Sequence, residues 1–282
     1  MSNDDPRQIL RAFGLRPRRR FGQNFLVNKG ILDKIVDLLD PSSHDVVIEV
    51  GPGLGHLTER LAARSGRVLG IDADEDMVRV CRRRLATHEN AEVLLGDAVT
   101  ADYPRLLAAF GDAAVRVAGN LPFYCASELA LVLLENVPFH RMVLMFQQEV
   151  ARRILASPGG KEYGALSVAC QLRARCLPGF RVRAGSFYPK PEVDAAVVRF
   201  EPSREALDPD CLLRVEGVTK ALFSYRRKTL AKGLALSGLA DRLAHDPLVA
   251  DLLSGRMRPE TLTPLDFYRL ACAVRNAEEP KP

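Results

Sequence analysis

No stretch of this 282-residue chain stays apolar for anything near the roughly 20 residues that a membrane-spanning helix needs, so no membrane partner is expected. The N-terminal stretch lacks the apolar core of a secretory signal. Its arginines would suit a transit peptide, but Asp4 and Asp5 argue against one, and the expected compartment is the cytoplasm. The six cysteines, at positions 81, 125, 170, 176, 211 and 272, include no CxxC pair and no metal-type spacing. They read as reduced, mostly buried thiols, and no metal is expected. No internal repeat or low-complexity tract is present. The most telling deficit is of acid. From Pro6 to Leu32 there is no Asp or Glu, yet there are seven basic residues: Arg7, Arg11, Arg16, Arg18, Arg19, Arg20 and Lys29. Tyr163–Pro191 and Val218–Ala240 are acid-free too, and the latter carries Arg226, Arg227 and Lys228. A single such run is often just a solvated face. Three of them, in a chain whose net charge is only +5, point to a polyanion, with nucleic acid first.

What is present is enough to build a core: 47% of the residues are hydrophobic, and the length allows one large domain or one large plus one small. Residues 1–20 read as a basic arm, flexible or partly helical. Residues 202–209 (PSREALDP) read as a linker. Residues 21–201 alternate strand and helix signals, whereas 202–282 show short helices and no strand, so a boundary is placed near Pro202.

The organising stretch is DVVIEVGPGLGHLTE, Asp45 to Glu59. Val46, Val47, Ile48 and Val50 form a short β-branched run, the pattern of a strand buried on both faces of a parallel sheet. It breaks at Gly51, Gly53 and Gly55, after which a helix begins. Strand, glycine turn and helix bring backbone amides toward a nucleotide-like ligand. The spacing is GxGxG, and His56 stands where a dinucleotide site would want its third glycine. A nucleoside without pyrophosphate fits better, although a tight turn that binds nothing has the same spacing. Asp72 ends the next strand, about 20 residues after the first glycine, where an acid can accept from ribose hydroxyls.

The strand–helix alternation continues, and each strand leads to a polar residue at its carboxyl end: Glu49, Asp72, Asp97, Asn120 and Gln147-Gln148. Ligands bind at that edge of an open parallel sheet. Asp97, with Ala98 after it, is placed to accept from an adenine amine, or equally to cap a turn. Upstream, Phe21-Gly22-Gln23-Asn24-Phe25-Leu26 offers a Gln-Asn pair between aromatics, which suits either a ligand rim or a helix-capping turn. Two runs near Cys176–Ala184 and Val193–Phe200 read as an antiparallel pair closing the sheet edge.

The chemistry concentrates in Asn120-Leu121-Pro122-Phe123. Proline fixes the backbone at the strand end. The Asn120 side-chain oxygen and the Leu121 carbonyl then form two converging acceptors, matched to the two N–H donors of an exocyclic amine. Such a pair stabilises the positive charge that develops on nitrogen during alkylation. Phe123 supplies a face for the base to stack on, which helps offset the cost of unstacking it. Displacement at a methyl sulfonium needs alignment more than a strong base. A zinc deaminase would need HxE and PCxxC, and neither is present. The glycine spacing and the basic runs likewise argue against an NAD-linked oxidoreductase.

The ordered set FGQNFL, IEVGPGLGHLT, GDA, NLPFYCAS, FQQEVARRI, KEYGALSV, FYPKPEVDAAVVRF and FSYRRKTL closely resembles the ribosomal RNA adenine N6,N6-dimethyltransferases of the bacterial small-subunit type. The likeness runs from about Gly14 to Arg269. It implies a Rossmann-like, class I methyltransferase fold: a mostly parallel seven-stranded sheet with an antiparallel edge strand, and a small all-α C-terminal domain that binds RNA. It implies transfer of two methyl groups from S-adenosylmethionine, leaving S-adenosylhomocysteine, to each of two adjacent adenosines near the 3′ end of 16S rRNA. The partner implied is a pre-ribosomal 30S particle, met by a monomer. By this resemblance Gln23, Asn24 and Leu26 line the cofactor entrance, Gly51, Gly53 and Gly55 hold the methionine end, Asp72 binds ribose, and Asp97 with Ala98 binds adenine. Asn120 faces both cofactor and substrate, Phe123 stacks on the target base with Phe187 as a second aromatic, and Arg226, Arg227 and Lys228 face phosphates. The family usually carries Glu at the position of Asp72 and often Tyr at Phe123. The alternatives are a large-subunit rRNA methyltransferase of the macrolide-resistance type, which has a similar Asn-x-Pro-aromatic motif, and a non-catalytic assembly factor on the same fold.

Overall fold

In the computed structural model, residues 5–18, 22–203, 205–243, 249, 252 and 257–278 are described. Residues 1–4, Arg19, Arg20 and Phe21, which belong to the expected arm and its junction with the domain, lie outside these, as does part of the helical tail between 244 and 256. The described chain divides into two compact units. One contains the residues up to Ala151 together with Cys176–Pro202, and the other contains Arg152–Arg175 together with those from Ser203 onward.

The first unit is an open α/β sheet. Strands β1 (Phe25–Leu26), β2 (Val46–Val50), β3 (Arg67–Asp72), β4 (Ala91–Leu95), β5 (Val115–Asn120), β6 (Phe139–Gln147), β7 (Ala174–Val182), β8 (Phe187–Tyr188) and β9 (Ala195–Pro202) succeed one another in chain order. Seven of them form one sheet, β4-β3-β2-β5-β6-β9-β7. The β4-β3-β2-β5-β6 run is parallel, and β9 pairs antiparallel with β6 from Met142↔Phe200 to Gln147↔Ala195. The expected sheet with its antiparallel edge is therefore present. The chain leaves β2 for β3 on one side and later returns to β5 on the other. The crevice at the carboxyl ends of β2 and β5 is thus the topological switch point.

Every residue of β2 is buried, as its β-branched run requires. Helix α1 spans Pro6–Ala12, α2 Lys29–Leu39, α3 His56–Ala62, α4 Glu75–Arg84, α5 Tyr103–Leu107 and α6 Ala126–Asn136. Helix α2 shows how sequence places these layers. Asn28 caps it by accepting from the Ile31 amide at 3.2 Å, and Leu32, Ile35, Val36 and Leu39 turn a single stripe to the sheet. It ends where Asp40 enters the left-handed region at φ 53°. The basic arm is more ordered than its composition suggests. In α1, Ile9 and Leu10 are buried with Phe25, Leu54, Met77 and Val80, and Arg7 lies 4.9 Å from the centre of the Tyr188 ring.

Gly55 shows what the glycine turn demands. It sits at φ +81°, and a Cβ there would stand 2.9 Å from Cys81 Sγ on α4. Cys81 is fully buried and has little room to yield. Gly55→Ala combines left-handed strain with overpacking, so it is expected to cost about 2–4 kcal/mol. Thermal melts check this, since the unit as a whole is destabilised rather than the turn alone.

The second unit is helical: α7 (Gln148–Leu155, entering from the first unit), α8 (Ala165–Arg173), α9 (Pro209–Phe223), α10 (Leu230–Leu236), α11 (Ala240–Leu243) and α12 (Pro264–Glu278). Residues 152–175 precede the Pro202 boundary read from the sequence, but they pack with residues beyond it. Tyr163, Val168 and Leu172 share a core with Val215, Leu222, Leu262 and Phe267, and the Tyr163 hydroxyl donates to the Leu262 carbonyl at 2.9 Å. The reading of all six cysteines as reduced thiols is corrected here. Cys211 and Cys272 are disulfide-bonded, joining α9 to α12, while 81, 125, 170 and 176 are free. The pair is 61 residues apart in sequence, so spacing alone gave no sign of it.

Candidate functional site

The turn after β2 brings its three glycines to the crevice with φ values of +69°, +55° and +81° at Gly51, Gly53 and Gly55. This conformation strains any residue with a Cβ. Two further contacts pin the turn: the Gly51 amide donates to Ile71 O at 2.9 Å and the Gly53 amide to Asp72 Oδ2 at 3.0 Å. The shorter acid at position 72 is thereby tied to the glycine turn itself. Its other oxygen accepts from the Asp74 amide at 2.9 Å. Burial raises the Asp72 carboxyl to about 6, and the two amides hold it from rising further.

One strand over lies an acid that sequence reasoning noticed only as a strand terminus. Glu49, on β2, is 2% exposed and lines the same cleft. The Thr58 hydroxyl donates to its carboxyl. Its Oε2 is buried and finds no partner among the described residues. Burial, aided by the nearby Asp72 charge, raises this carboxyl to about 8. An orphaned carboxylate oxygen in a cleft is costly unless a donor completes it, and a cation would suit it best. The signal was there in the sequence: a Glu inside a run of Val and Ile that is otherwise fully apolar.

The arm closes the other side. Leu26 is buried in β1, and Gln23 and Asn24 line the cleft. The Gln23 side chain, however, is occupied by internal bonds. Its oxygen accepts from the Arg18 amide at 2.8 Å and its nitrogen donates to Asp74 Oδ2 at 2.8 Å. Arg18 in turn bonds Asp74 at 2.8 Å and Asp76. Asp74, 1% exposed at the head of α4, is thus the post to which the arm is tied, a role the sequence did not suggest.

At the end of β5, Asn120 projects into the cleft. Its Nδ2 donates to the Asn24 carbonyl at 2.9 Å. That bond uses the amide nitrogen, and the amide oxygen has no donor among the described residues. Leu121 is buried and Pro122 carries the turn, its carbonyl accepting from the Cys125 amide at 3.2 Å. Phe123 lines the cleft while packing on the sheet core. Asp97 and Ala98 line it from β4. Asp97 also accepts from the Val99 amide at 2.9 Å, so the turn-capping alternative holds alongside a ligand-facing position.

Two expected site residues are placed elsewhere. Phe187, the candidate second aromatic, is 4% exposed and belongs to the core cluster on which Phe123 packs; it does not line the cleft. It pairs with Leu26 in the β1–β8 ribbon, which draws it inward. The aromatic at the cleft mouth is Tyr124. In the helical unit, Arg226 does not point freely to solvent. Its guanidinium bonds Glu260 at 2.7 Å, Tyr163 O at 3.0 Å and Gly160 O at 2.8 Å. Arg227 and Lys228 are exposed.

Comparison with known proteins agrees with this geometry. The family model for ribosomal RNA adenine dimethylase matches residues 14–254. Proteins named ribosomal RNA small subunit methyltransferase A are similar over most of their length. That of Pelotomaculum thermopropionicum is 42% identical, covering 83% of this chain and 82% of the relative. That of Geobacter metallireducens is 39% identical, covering 94% and 98%. Among solved structures, a dimethyladenosine transferase from Plasmodium falciparum superposes with TM-score 0.74 at 27% identity, covering 89% of this chain and 97% of that one. The 23S rRNA methyltransferase ErmE superposes at 0.66 with 23% identity, covering 89% and 100%, which is a likeness of fold.

Proposed function

The chain belongs to the ribosomal RNA adenine dimethylase family, and on that premise we propose that it transfers methyl groups from S-adenosylmethionine to N6 of two adjacent adenosines near the 3′ end of 16S rRNA. We further propose that it acts in the cytoplasm, as a monomer, on a pre-ribosomal 30S particle. Relatives named for the small subunit favour that substrate over 23S rRNA.

The residues present fit such a cofactor. Asp72 offers carboxylate lone pairs to ribose hydroxyls, and Asp97 with Ala98 lies where an adenine would be received. The Gly51, Gly53 and Gly55 amides are bonded within the protein, and the Leu54 amide is the one in this turn left to meet a carboxylate among the described residues. The unpartnered Glu49 oxygen suits the cationic amino-acid end. When bound, S-adenosylmethionine supplies an electrophilic methyl group. The rest is done by the protein. Asn120 holds the adenine amine by its fixed oxygen, with the Leu121 carbonyl as second acceptor, and Phe123 supports the extruded ring. The observation that carries this reading is the Asn120–Asn24 bond, because it uses the amide nitrogen and leaves the oxygen, which has no donor among the described residues, as an acceptor in a cleft otherwise built for a nucleoside.

The test is to incubate the protein with isotopically labelled S-adenosylmethionine and undermethylated 30S subunits, then to examine rRNA fragments by mass spectrometry. Two dimethyladenosines in one 16S fragment are expected. Label confined to other 16S fragments, or no label, would sink the reading.

Arg227 and Lys228 are the members of the RRK run proposed to meet phosphates. Replacing both with Ala should reduce the slope of log affinity against log salt by about 1.5–2, one contact each. Arg226→Ala should instead lower the melting temperature, since it removes one donor each from the Gly160 and Tyr163 carbonyls and from Glu260. Filter binding across a salt series, beside thermal melts, separates the two effects.

A further inference from the structure

The chemistry of methyl transfer leaves one conspicuous side chain unused. Tyr124 directly succeeds Phe123 in the proline corner and lines the mouth of the cleft, yet it is 68% exposed. An exposed aromatic is ordinary when it is loose on a surface. This one belongs to the proline corner, where the next residue's thiol, Cys125, donates to the Pro122 carbonyl at 3.8 Å. At the ring, Cδ1 lies 3.5 Å from where a Cβ on Gly22 would stand. Gly22, at φ +59°, carries no side chain to cover it. The ring lies beside the corner and the Gly22 backbone, and most of it still faces water.

An RNA strand that yields its target base to the cleft creates a matching deficit. When one base leaves the stack, its neighbour loses a stacking partner on that side. An aromatic ring at the mouth, one residue beyond the ring proposed to receive the target, can replace that partner. Every nucleobase has a π-face, so such a contact needs no particular sequence. Phe187 cannot serve here, being buried in the core.

We propose that Tyr124 is a stacking platform for the unpaired nucleobase next to the target adenine on the same strand. The inference rests on the rRNA-methylation reading and adds a substrate-binding residue to it. The alternative ligand is the cofactor, since Tyr124 borders its cleft, and the test separates the two.

Full-length wild-type protein, Tyr124→Ala and Tyr124→Phe are compared in three measurements. These are kcat/KM for undermethylated 30S subunits, affinity for S-adenosylhomocysteine by calorimetry, and melting temperature. Tyr124→Ala is expected to lower kcat/KM about 5- to 150-fold, the range for one lost base–aromatic stack. Its S-adenosylhomocysteine affinity and melting temperature should stay near wild type, and Tyr124→Phe should restore kcat/KM because the ring face returns. An unchanged kcat/KM in Tyr124→Ala, with wild type active, overturns the inference alone. A fall matched by equal loss of S-adenosylhomocysteine affinity also overturns it, since the ring would then be serving the cofactor. Failure of wild type to methylate the subunits removes the underlying reading and this inference with it.

Discussion

Asn120→Ala is expected to lower the single-turnover rate of methyl transfer by about 10²–10³-fold and to leave S-adenosylhomocysteine binding within a few-fold of wild type. The magnitude is that of losing one preorganised group aimed at charge developing in a transition state. Asn120 acts through an oxygen whose direction is set by the bond from its own nitrogen to the Asn24 carbonyl. No reorganisation is then needed when the adenine amine becomes cationic. Alanine removes the acceptor and also leaves the Asn24 carbonyl without that donor, so the loss should appear mainly in the chemical step. Asn120→Asp is the sharper variant. It keeps acceptor oxygens but sets a carboxylate against the Asn24 carbonyl, so the group must turn, and activity should fall although the charge is nominally favourable. A single-turnover rate for Asn120→Ala within threefold of wild type would rule out this role.

The frame of this site was legible because strand ends and glycine turns are local signals. β2, its turn and Asp72 come from a β-branched run, positive-φ positions and a strand terminus, all readable over short windows. The illegible parts depended on long-range partners. Gln23 suited either a ligand rim or a capping turn because its amide both donates and accepts. Only the fold shows that Asp74, 51 residues away, takes its amide nitrogen. Arg226 looked like its basic neighbours Arg227 and Lys228, and only the carbonyls at 160 and 163 reveal that it is spent internally. Phe187 sits in a motif rich in proline and aromatics, but pairing with Leu26 turns it into the core. Residues 152–175 carry helix signals indistinguishable from those of the first domain, and their burial with α9 and α12 sets their allegiance. In each case composition named the chemical type correctly while the partner decided its use.

S-adenosylhomocysteine binding should tighten as pH rises from 6.5 to 7.5, by up to tenfold per unit, and Glu49→Gln should make it flat. The free carboxyl of Glu49 is raised to about 8 by burial, with Asp72 adding to the shift and Thr58 opposing it. Below pH 8 the free protein therefore holds a proton there that a cationic ligand must displace, so binding releases a proton and affinity climbs with pH. The window lies above the Asp72 carboxyl, raised to about 6, so that Asp72 is mostly ionised across it while Glu49 still holds its proton. The same shift has an opposite effect on the empty protein. A carboxyl whose folded pKa exceeds its unfolded value of 4.5 stabilises the fold fully below about 4.5, and that contribution is lost as pH rises through 8. Ligand-induced stabilisation should accordingly grow over the interval in which the unliganded protein weakens. Glu49→Gln keeps shape but removes the charge that pairs with an ammonium, so affinity at pH 8 should fall roughly 10- to 100-fold, the scale of one hydrogen bond to a charged group. Calorimetry in two buffers of different ionisation enthalpy counts the protons released. Zero release at pH 7 with wild-type protein would show that the orphaned oxygen does not receive the ligand's cation.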